Sequence, residues 1–297
     1  MRWKTVLRLG VAMAAFAVAT TACGQQKDLG GSGSTPSVAQ GARFAPGTTM
    51  ATLAEARTIR IGTKFDQPLF GQQSLRGNLT GFDTEIARII AGALGIPPDK
   101  VQWVESPSAQ REELIKQGKV DLVVATYTIN DKRRQQISFA GPYYLAGQSL
   151  MVKSDNNTIT GPDSLRGAKA RVCSVQGSTP AENIRKYLDP AQLTVFDVYS
   201  KCADALRTGQ VDVVTTDNVI LLGFVSNSNG AFKLVGDTFT KEPYGIGIRK
   251  GDVAFCTFIN NTLTQANTSG AYADAWKTTA GKVAEQTPQL PAFDSCS

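Results

Sequence analysis

Lys116-Gln117-Gly118-Lys119-Val120-Asp121-Leu122-Val123-Val124 reads as a helix end, a closing glycine and a short apolar strand. Glycine just past a helix fits the left-handed cap position there. An apolar run of this length between turn signals suits a buried strand. Upstream, Thr58-Ile59-Arg60-Ile61-Gly62-Thr63 alternates like a half-buried strand. Phe82, Ile86, Ile89, Ile90, Ala93 and Leu94 then repeat at helical spacing and are closed by Gly95 and Pro97. Val101 to Val104 reads as a strand and Glu112 to Gln117 as a helix. Strands alternating with helices imply right-handed βαβ units around a mostly parallel sheet.

A second copy of the opening phrase, Arg207-Thr208-Gly209-Gln210-Val211-Asp212-Val213-Val214, follows about one lobe further on. Around it the pattern restarts: strand from Ala170 to Val175, helix from Ala181 to Leu188, strand from Leu193 to Val198, helix from Cys202 to Arg207. Two copies are too few for a solenoid, so the chain reads as two similar α/β lobes. The final helical stretch, Phe255 to Leu263 with Ala271 to Trp276, has no new sheet after it and is expected to pack back on the first lobe. The expected division is residues 49–147 plus 245–297 for lobe 1 and 148–244 for lobe 2.

The N-terminal end is a different kind of sequence. Arg2, Lys4 and Arg8 precede an apolar run from Leu9 to Val18, which is too short to cross a bilayer as a mature helix. Thr20-Thr21-Ala22 then leads to Cys23. Residues 1–22 read as a cleaved signal peptide. Cys23 resembles the cysteine of a bacterial lipobox, which implies lipid attachment there, although Thr20 departs from the usual Leu. Residues 23–48, rich in Gly, Ser, Thr, Pro and Gln, read as a flexible tether. The expected localisation is the outer face of the cell membrane, held by lipid.

Composition excludes several classes. The net charge is +6, and losing Arg2, Lys4 and Arg8 leaves about +3. No basic run with interleaved aromatics accompanies it, so nucleic acid is not an expected partner. There is no histidine, which excludes Ser-His-Asp, Cys-His and His-ligated metal chemistry. No cofactor or metal is implied. Beside Cys23 stand Cys173, Cys202, Cys256 and Cys296, an even set for an oxidising compartment. Of the three possible pairings, Cys173–Cys202 with Cys256–Cys296 keeps each bridge within one region.

Three segments follow strand C-termini, where ligands bind in open α/β sheets. The first runs from Ala125 through Thr126 and Thr128 to Arg133. Arg133 offers a planar fork for a carboxylate; on spacing alone it reads equally as one solvated charge beside Lys132 and Arg134. The second is Gln176-Gly177-Ser178-Thr179-Pro180-Ala181-Glu182, where Thr179 and Glu182 form a capping box at a helix start suited to an anion, or to capping alone. The third is Thr216-Asp217, whose carboxylate either receives an ammonium group or caps the following helix. Two anion-binding elements and one acid describe a receptor for an α-amino acid.

Gly81-Phe82-Asp83-x-Glu85-Ile86-Ala87, then Val120-Asp121-Leu122 through Thr128-x-x-Asp131-x-Arg133, then Phe139-x-x-Pro142-Tyr143-Tyr144, together resemble the polar amino-acid substrate-binding proteins of ABC importers. The likeness spans about residues 55–280. Cys173-Ser174-Val175-x-Gly177-Ser178-Thr179 and Thr63-Lys64-Phe65-Asp66-Gln67-Pro68 are similar to the glutamate-binding lipoproteins of actinobacteria. The resemblance implies a periplasmic-binding-protein type II fold with two lobes and two crossover segments. It also implies that Arg133, with Ala125 and Thr128, clamps the α-carboxylate, helped by Thr179 and its helix start. Asp217 takes the ammonium, and Phe65 and Phe82 wall the pocket. Val175 and Thr216 depart from the glutamine-binding pattern. Lys64 is the expected reader of the distal carboxylate, with Arg76 its rival.

The expected function is capture of an amino acid (glutamate first, then aspartate, glutamine or asparagine) and delivery to a membrane permease by a monomeric binding protein that is not an enzyme. Two other classes use the same scaffold: a sensor that reports to a membrane kinase, and an enzyme such as a cyclohexadienyl dehydratase. The pairing of Arg133 with Asp217 favours binding over turnover.

Overall fold

Asp121 and Asp212, the acids of the two repeated phrases, do the same work twice. Asp121 accepts from the backbone N–H of Arg60 at 2.8 Å and from its guanidinium Nη2 at 2.6 Å. Asp212 accepts from the N–H of Arg171 at 2.9 Å and from its Nη2 at 2.6 Å. Each acid thereby fixes the start of its strand against the neighbouring one. The computed structural model describes residues 37–284 and 286–297. The expected signal peptide 1–22, Cys23 and tether residues 24–36 lie outside the described residues.

The strands, in chain order, are β1 (Ile59–Thr63), β2 (Asp66–Gln67), β3 (Gly71–Gln73), β4 (Leu79–Thr80), β5 (Val101–Glu105), β6 (Leu122–Val123), β7 (Ser138–Ala146), β8 (Gln148–Lys153), β9 (Val172–Val175), β10 (Leu193–Phe196), β11 (Val213–Asp217), β12 (Phe232–Val235) and β13 (Glu242–Ile248). The helices are α1 (Thr49–Ala56), α2 (Phe82–Ala93), α3 (Arg111–Lys116), α4 (Asp131–Arg134), α5 (Ser164–Gly167), α6 (Thr179–Asn183), α7 (Tyr199–Thr208), α8 (Asn218–Ser226), α9 (Val253–Ser269) and α10 (Ala271–Thr278).

One sheet has the order β5-β1-β6-β13-β7 and another β10-β9-β11-β8-β12. In each, three neighbouring strands pair in parallel, and the fourth (β13 or β8) runs against them and pairs antiparallel on both sides, so the edge strand β7 or β12 runs with the first three. This is the two-lobed type II arrangement. The chain passes from the first sheet to the second at Gly147, between β7 and β8, and returns between β12 and β13. β13 begins at Glu242, paired with Ala146, so the return precedes the expected residue 245.

The first core gathers Phe82, Ile86 and Ile90 of α2 with Phe255, Ile259 and Leu263 of α9 and Tyr272 and Trp276 of α10. The C-terminal helices therefore do pack on lobe 1. Each such side chain contributes about 1.5–3 kcal/mol by leaving water. Disulfides join Cys173 to Cys202 and Cys256 to Cys296, with Cα–Cα separations of 5.6 and 5.8 Å, one in each lobe.

Two local expectations are corrected. Residues 37–48, assigned to the tether, lie against lobe 1: Ala39 N–H donates to Gly92 O at 2.9 Å, and the Phe44 ring meets Phe258 edge-on at 5.4 Å. The apolar Val38 and Phe44 outweigh the tether-like composition around them. At α6 the cap is Ser178, whose Oγ accepts from Ala181 N–H at 3.1 Å. Thr179 is the first helical residue, its hydroxyl donates to Glu242 Oε2 at 2.6 Å, and the Thr179–Glu182 capping box does not form.

Candidate functional site

Four strand C-termini deliver side chains into one narrow cavity between the two sheets. From lobe 1 come Ser108 and Arg111, beyond β5, and Thr126 and Thr128, beyond β6. From lobe 2 come Ser178 and Thr179, beyond β9, and Thr216 and Asp217, ending β11. Tyr199 and Ile220 supply apolar wall.

The lobes are closed over this space. Arg133 Nη2 donates to Gly177 O at 3.1 Å, and Tyr244 Oη donates to Asp217 Oδ2 at 2.7 Å, both across the cleft. Gly177 has φ +74°, and a Cβ there would stand 2.7 Å from the Cα of Ala109 on the other lobe. Only glycine permits that approach.

Arg111 is the cation the sequence reading missed. It is 2% exposed, its Nη1 donates to Ala125 O at 3.0 Å, and its guanidinium lies 4.0 Å from the Tyr127 ring centroid. Its Nε has no partner among the described residues. A buried guanidinium with an unused donor on a cavity wall suits an incoming carboxylate. The pointer in the sequence was positional: Ser108 and Arg111 follow a strand, as the other three site segments do.

Arg133, the expected clamp, is also buried, but its fork is engaged by the protein. Nη1 donates to Thr128 O at 2.5 Å, Nη2 to Gly177 O, and Nε lies 3.3 Å from Glu112. Burial, then the nearby Arg111 charge, lowers its pKa to about 10. It sits behind the wall as a strap between the lobes.

The other expected residues divide similarly. Thr126, Thr128, Ser178, Thr179 and Asp217 line the cavity. Ala125 contributes its carbonyl to Arg111, and Gly177 its carbonyl to Arg133. Lys64 is 2% exposed and stands behind Ser108, donating to Ser108 Oγ at 2.9 Å. Burial, followed by the charge of Arg111, lowers its pKa to about 7. Phe65 is half-buried away from the cavity lining, and Arg76 is exposed on the turn between β3 and β4. Phe82 is fully buried in an aromatic cluster, 5.1 Å from Trp276 and 5.5 Å from Tyr272 between ring centroids. Its helical spacing with Ile86 and Ile90 turns it into the core, so Tyr199 and Ile220 replace Phe65 and Phe82 as wall.

Asp217 stands at the N-cap of α8 yet makes no side-chain cap. Oδ2 takes the Tyr244 hydroxyl, and Oδ1 has no partner among the described residues. Burial, and then the charge of Glu242, pushes its pKa up to about 8. The cavity therefore presents an unused cationic donor on lobe 1 and an unused carboxylate oxygen on lobe 2.

A two-lobed body with a closed polar cavity between its sheets defines a solute-binding protein. Residues 59–279 match the family model for bacterial extracellular solute-binding proteins, family 3, and the chain belongs to that family. It is 35% identical over 281 residues to the glutamate-binding protein GluB of Corynebacterium glutamicum, covering 91% of this chain and 89% of that one. It is 36% identical over 230 residues to the ABC transporter glutamine-binding protein GlnH of Bacillus subtilis, covering 77% and 83%. Among solved structures, an ancestral arginine-binding protein bound to glutamine superposes with a TM-score of 0.69 at 35% identity, over 75% of this chain and 97% of that one.

Proposed function

We propose that the chain captures an acidic amino acid, glutamate in preference to glutamine, outside the cytoplasmic membrane and presents it to an ABC importer, anchored by lipid on Cys23. The relatives do not choose between acid and amide, since one is named for glutamate and another for glutamine. The carrying observation is the cavity itself: Asp217 Oδ1 on one wall, with Arg111 Nε on the other and Lys64 behind Ser108. Asp217 receives the ammonium. Arg111, with Thr128 and Thr179, faces one carboxylate, and Lys64 with Ser108 reads the distal one. Arg133 closes the lobes behind the ligand. An amide in place of the distal carboxylate leaves the Lys64 charge buried and unpaired, which costs affinity.

A thermal-shift screen of the twenty amino acids tests this, because a ligand that binds only the native state raises its stability by about 2.7 kcal/mol at a hundred times Kd. Glutamate should give the largest shift, with aspartate and glutamine below it. A screen in which neither acidic amino acid moves the midpoint overturns the proposal.

A further inference from the structure

The geometry points to Asp83 as the positioning residue of this site: its carboxylate holds Thr126 in the left-handed conformation that gives lobe 1 its ligand-facing wall. This deepens the proposed function and rests on it.

Thr126 lines the cavity with φ +44°. For a β-branched residue this conformation is strained, and it persists only where the surroundings over-determine it. Two bonds hold it. Its N–H donates to Asp83 Oδ2 at 2.7 Å, and its hydroxyl to Gln67 Oε1 at 3.0 Å. The strained residue lets the chain leave β6 so that Ala125 O meets Arg111 while Thr126 and Thr128 both face the ligand space.

Asp83 is fully buried, and Tyr143 Oη supplies its second bond, to Oδ1, at 2.5 Å. Gly81 brings the acid there. With φ +135° it allows the start of α2 to touch the Phe70 backbone, where a Cβ would stand 2.2 Å from Phe70 C. Phe82 and Asp83 N–H groups then bond to Leu69 O and Phe70 O. A buried carboxylate is expensive to keep in a core, and an apolar residue would pack α2 as well. What an apolar residue cannot do here is accept from the Thr126 N–H and from the Tyr143 hydroxyl.

The test compares Asp83→Leu, Asp83→Asn and Tyr143→Phe in the full chain, titrated calorimetrically with L-glutamate and melted without it. Leu has no acceptor for the Thr126 N–H, so D83L should raise Kd at least 30-fold. Asn keeps an oxygen for that N–H while its NH2 donates to Tyr143 Oη, since a tyrosine hydroxyl accepts as well as donates, so D83N should stay within about 5-fold of wild type. Y143F keeps the Thr126 bond and should stay within about 3-fold. Affinity losses in D83L and Y143F that are equal and track their melting temperatures would mean a structural role only and overturn the inference. So would an unchanged Kd in D83L, or a D83N that loses as much affinity as D83L. A wild-type chain that ignores glutamate overturns the proposed function instead. Hydrogen exchange of the Thr126 amide in ligand-free wild type decides this inference even then, or if D83L fails to fold. Strong protection is expected, and exchange at the rate of a free loop amide refutes it.

Discussion

Tyr244 on β13 donates its hydroxyl to Asp217 at the end of β11, so the acid of the second lobe is held by a side chain of the first. The bond does two things. It fixes Asp217 through Oδ2 and leaves Oδ1 without a partner among the described residues, and it spans the two lobes. Tyr244 itself is fully buried, and burial with the neighbouring Asp217 charge raises its pKa well above the ordinary tyrosine value. It is a permanent donor.

Asp217→Asn should therefore remove most of the affinity, because an ammonium would meet an amide instead of a carboxylate. A charged hydrogen bond is worth about 1.5–3 kcal/mol, which is roughly a 10- to 150-fold loss. Tyr244→Phe keeps the charge and loses only its orientation, so a smaller loss, about 5- to 10-fold, is expected. Calorimetric Kd values that rank the two variants the other way would show that the ammonium goes elsewhere.

Arg111 and Lys64 should separate acid from amide. Lys64→Met removes a buried charge that lacks an acidic partner within hydrogen-bonding reach among the described residues. Glutamate affinity should fall by at least tenfold, while glutamine affinity holds or improves, since the unpaired charge no longer opposes it. Arg111→Lys, which cannot keep both the Ala125 bond and a fork for the ligand, should weaken both ligands together. Parallel titrations with the two amino acids check this, and equal losses for K64M would assign the distal reading to another side chain.

The fold was legible because its signals are local. Gly118 and Gly209 end helices, and the Val-Asp phrases begin strands that Arg60 and Arg171 lock by the same geometry. The acid that meets the cavity, Asp217, was legible for the same reason: it is the last residue of a strand. The cations were harder. Arg111 and Arg133 lie 4.0 and 4.9 Å from one ring, Tyr127, and no pattern along the chain says which guanidinium spends its donors on backbone carbonyls and which keeps one free. Phe82 was misplaced because one residue served two readings, a helical core position and a pocket aromatic. Contacts with Tyr272 and Trp276, far away in sequence, decided it.

Ligand-free stability should pass through a minimum near pH 7–8. Asp83 and Asp217 are pushed up to about 7 and about 8, mainly by burial. The native state holds these protons where the unfolded chain has released them. The stability they confer is thus full below about pH 4 and lost as pH rises through 7 to 8. Lys64, lowered to about 7, has the opposite sign. Its contribution is full above about pH 10.4 and lost as pH falls toward 7. A bound zwitterion pairs Asp217 with an ammonium and the cations with carboxylates, so the minimum should flatten with saturating glutamate. Melting curves from pH 4 to 10, with and without ligand, measure both. A ligand-free profile that peaks near pH 7 would contradict the assignment.

Closure also borrows a helix cap from the opposite lobe. α7 begins after Val198, which has no side chain able to cap it. The Ser200 N–H donates instead to Asp66 Oδ2, at 3.0 Å, on β2 of lobe 1. When the lobes part, the first turn of α7 loses that acceptor and turns to water. A carboxylate at a helix N-terminus is worth about 0.3–1 kcal/mol at the surface, and a cap typically about 1 kcal/mol. Asp66→Ala should accordingly weaken glutamate binding about 3- to 10-fold by shifting the lobe equilibrium toward open, with no change in the contacts the ligand itself makes. The shift should appear as a larger ligand-free radius in X-ray scattering and a faster dissociation rate, while glutamate-to-glutamine selectivity stays constant. Selectivity that changes with D66A would place Asp66 among the ligand contacts rather than at the latch.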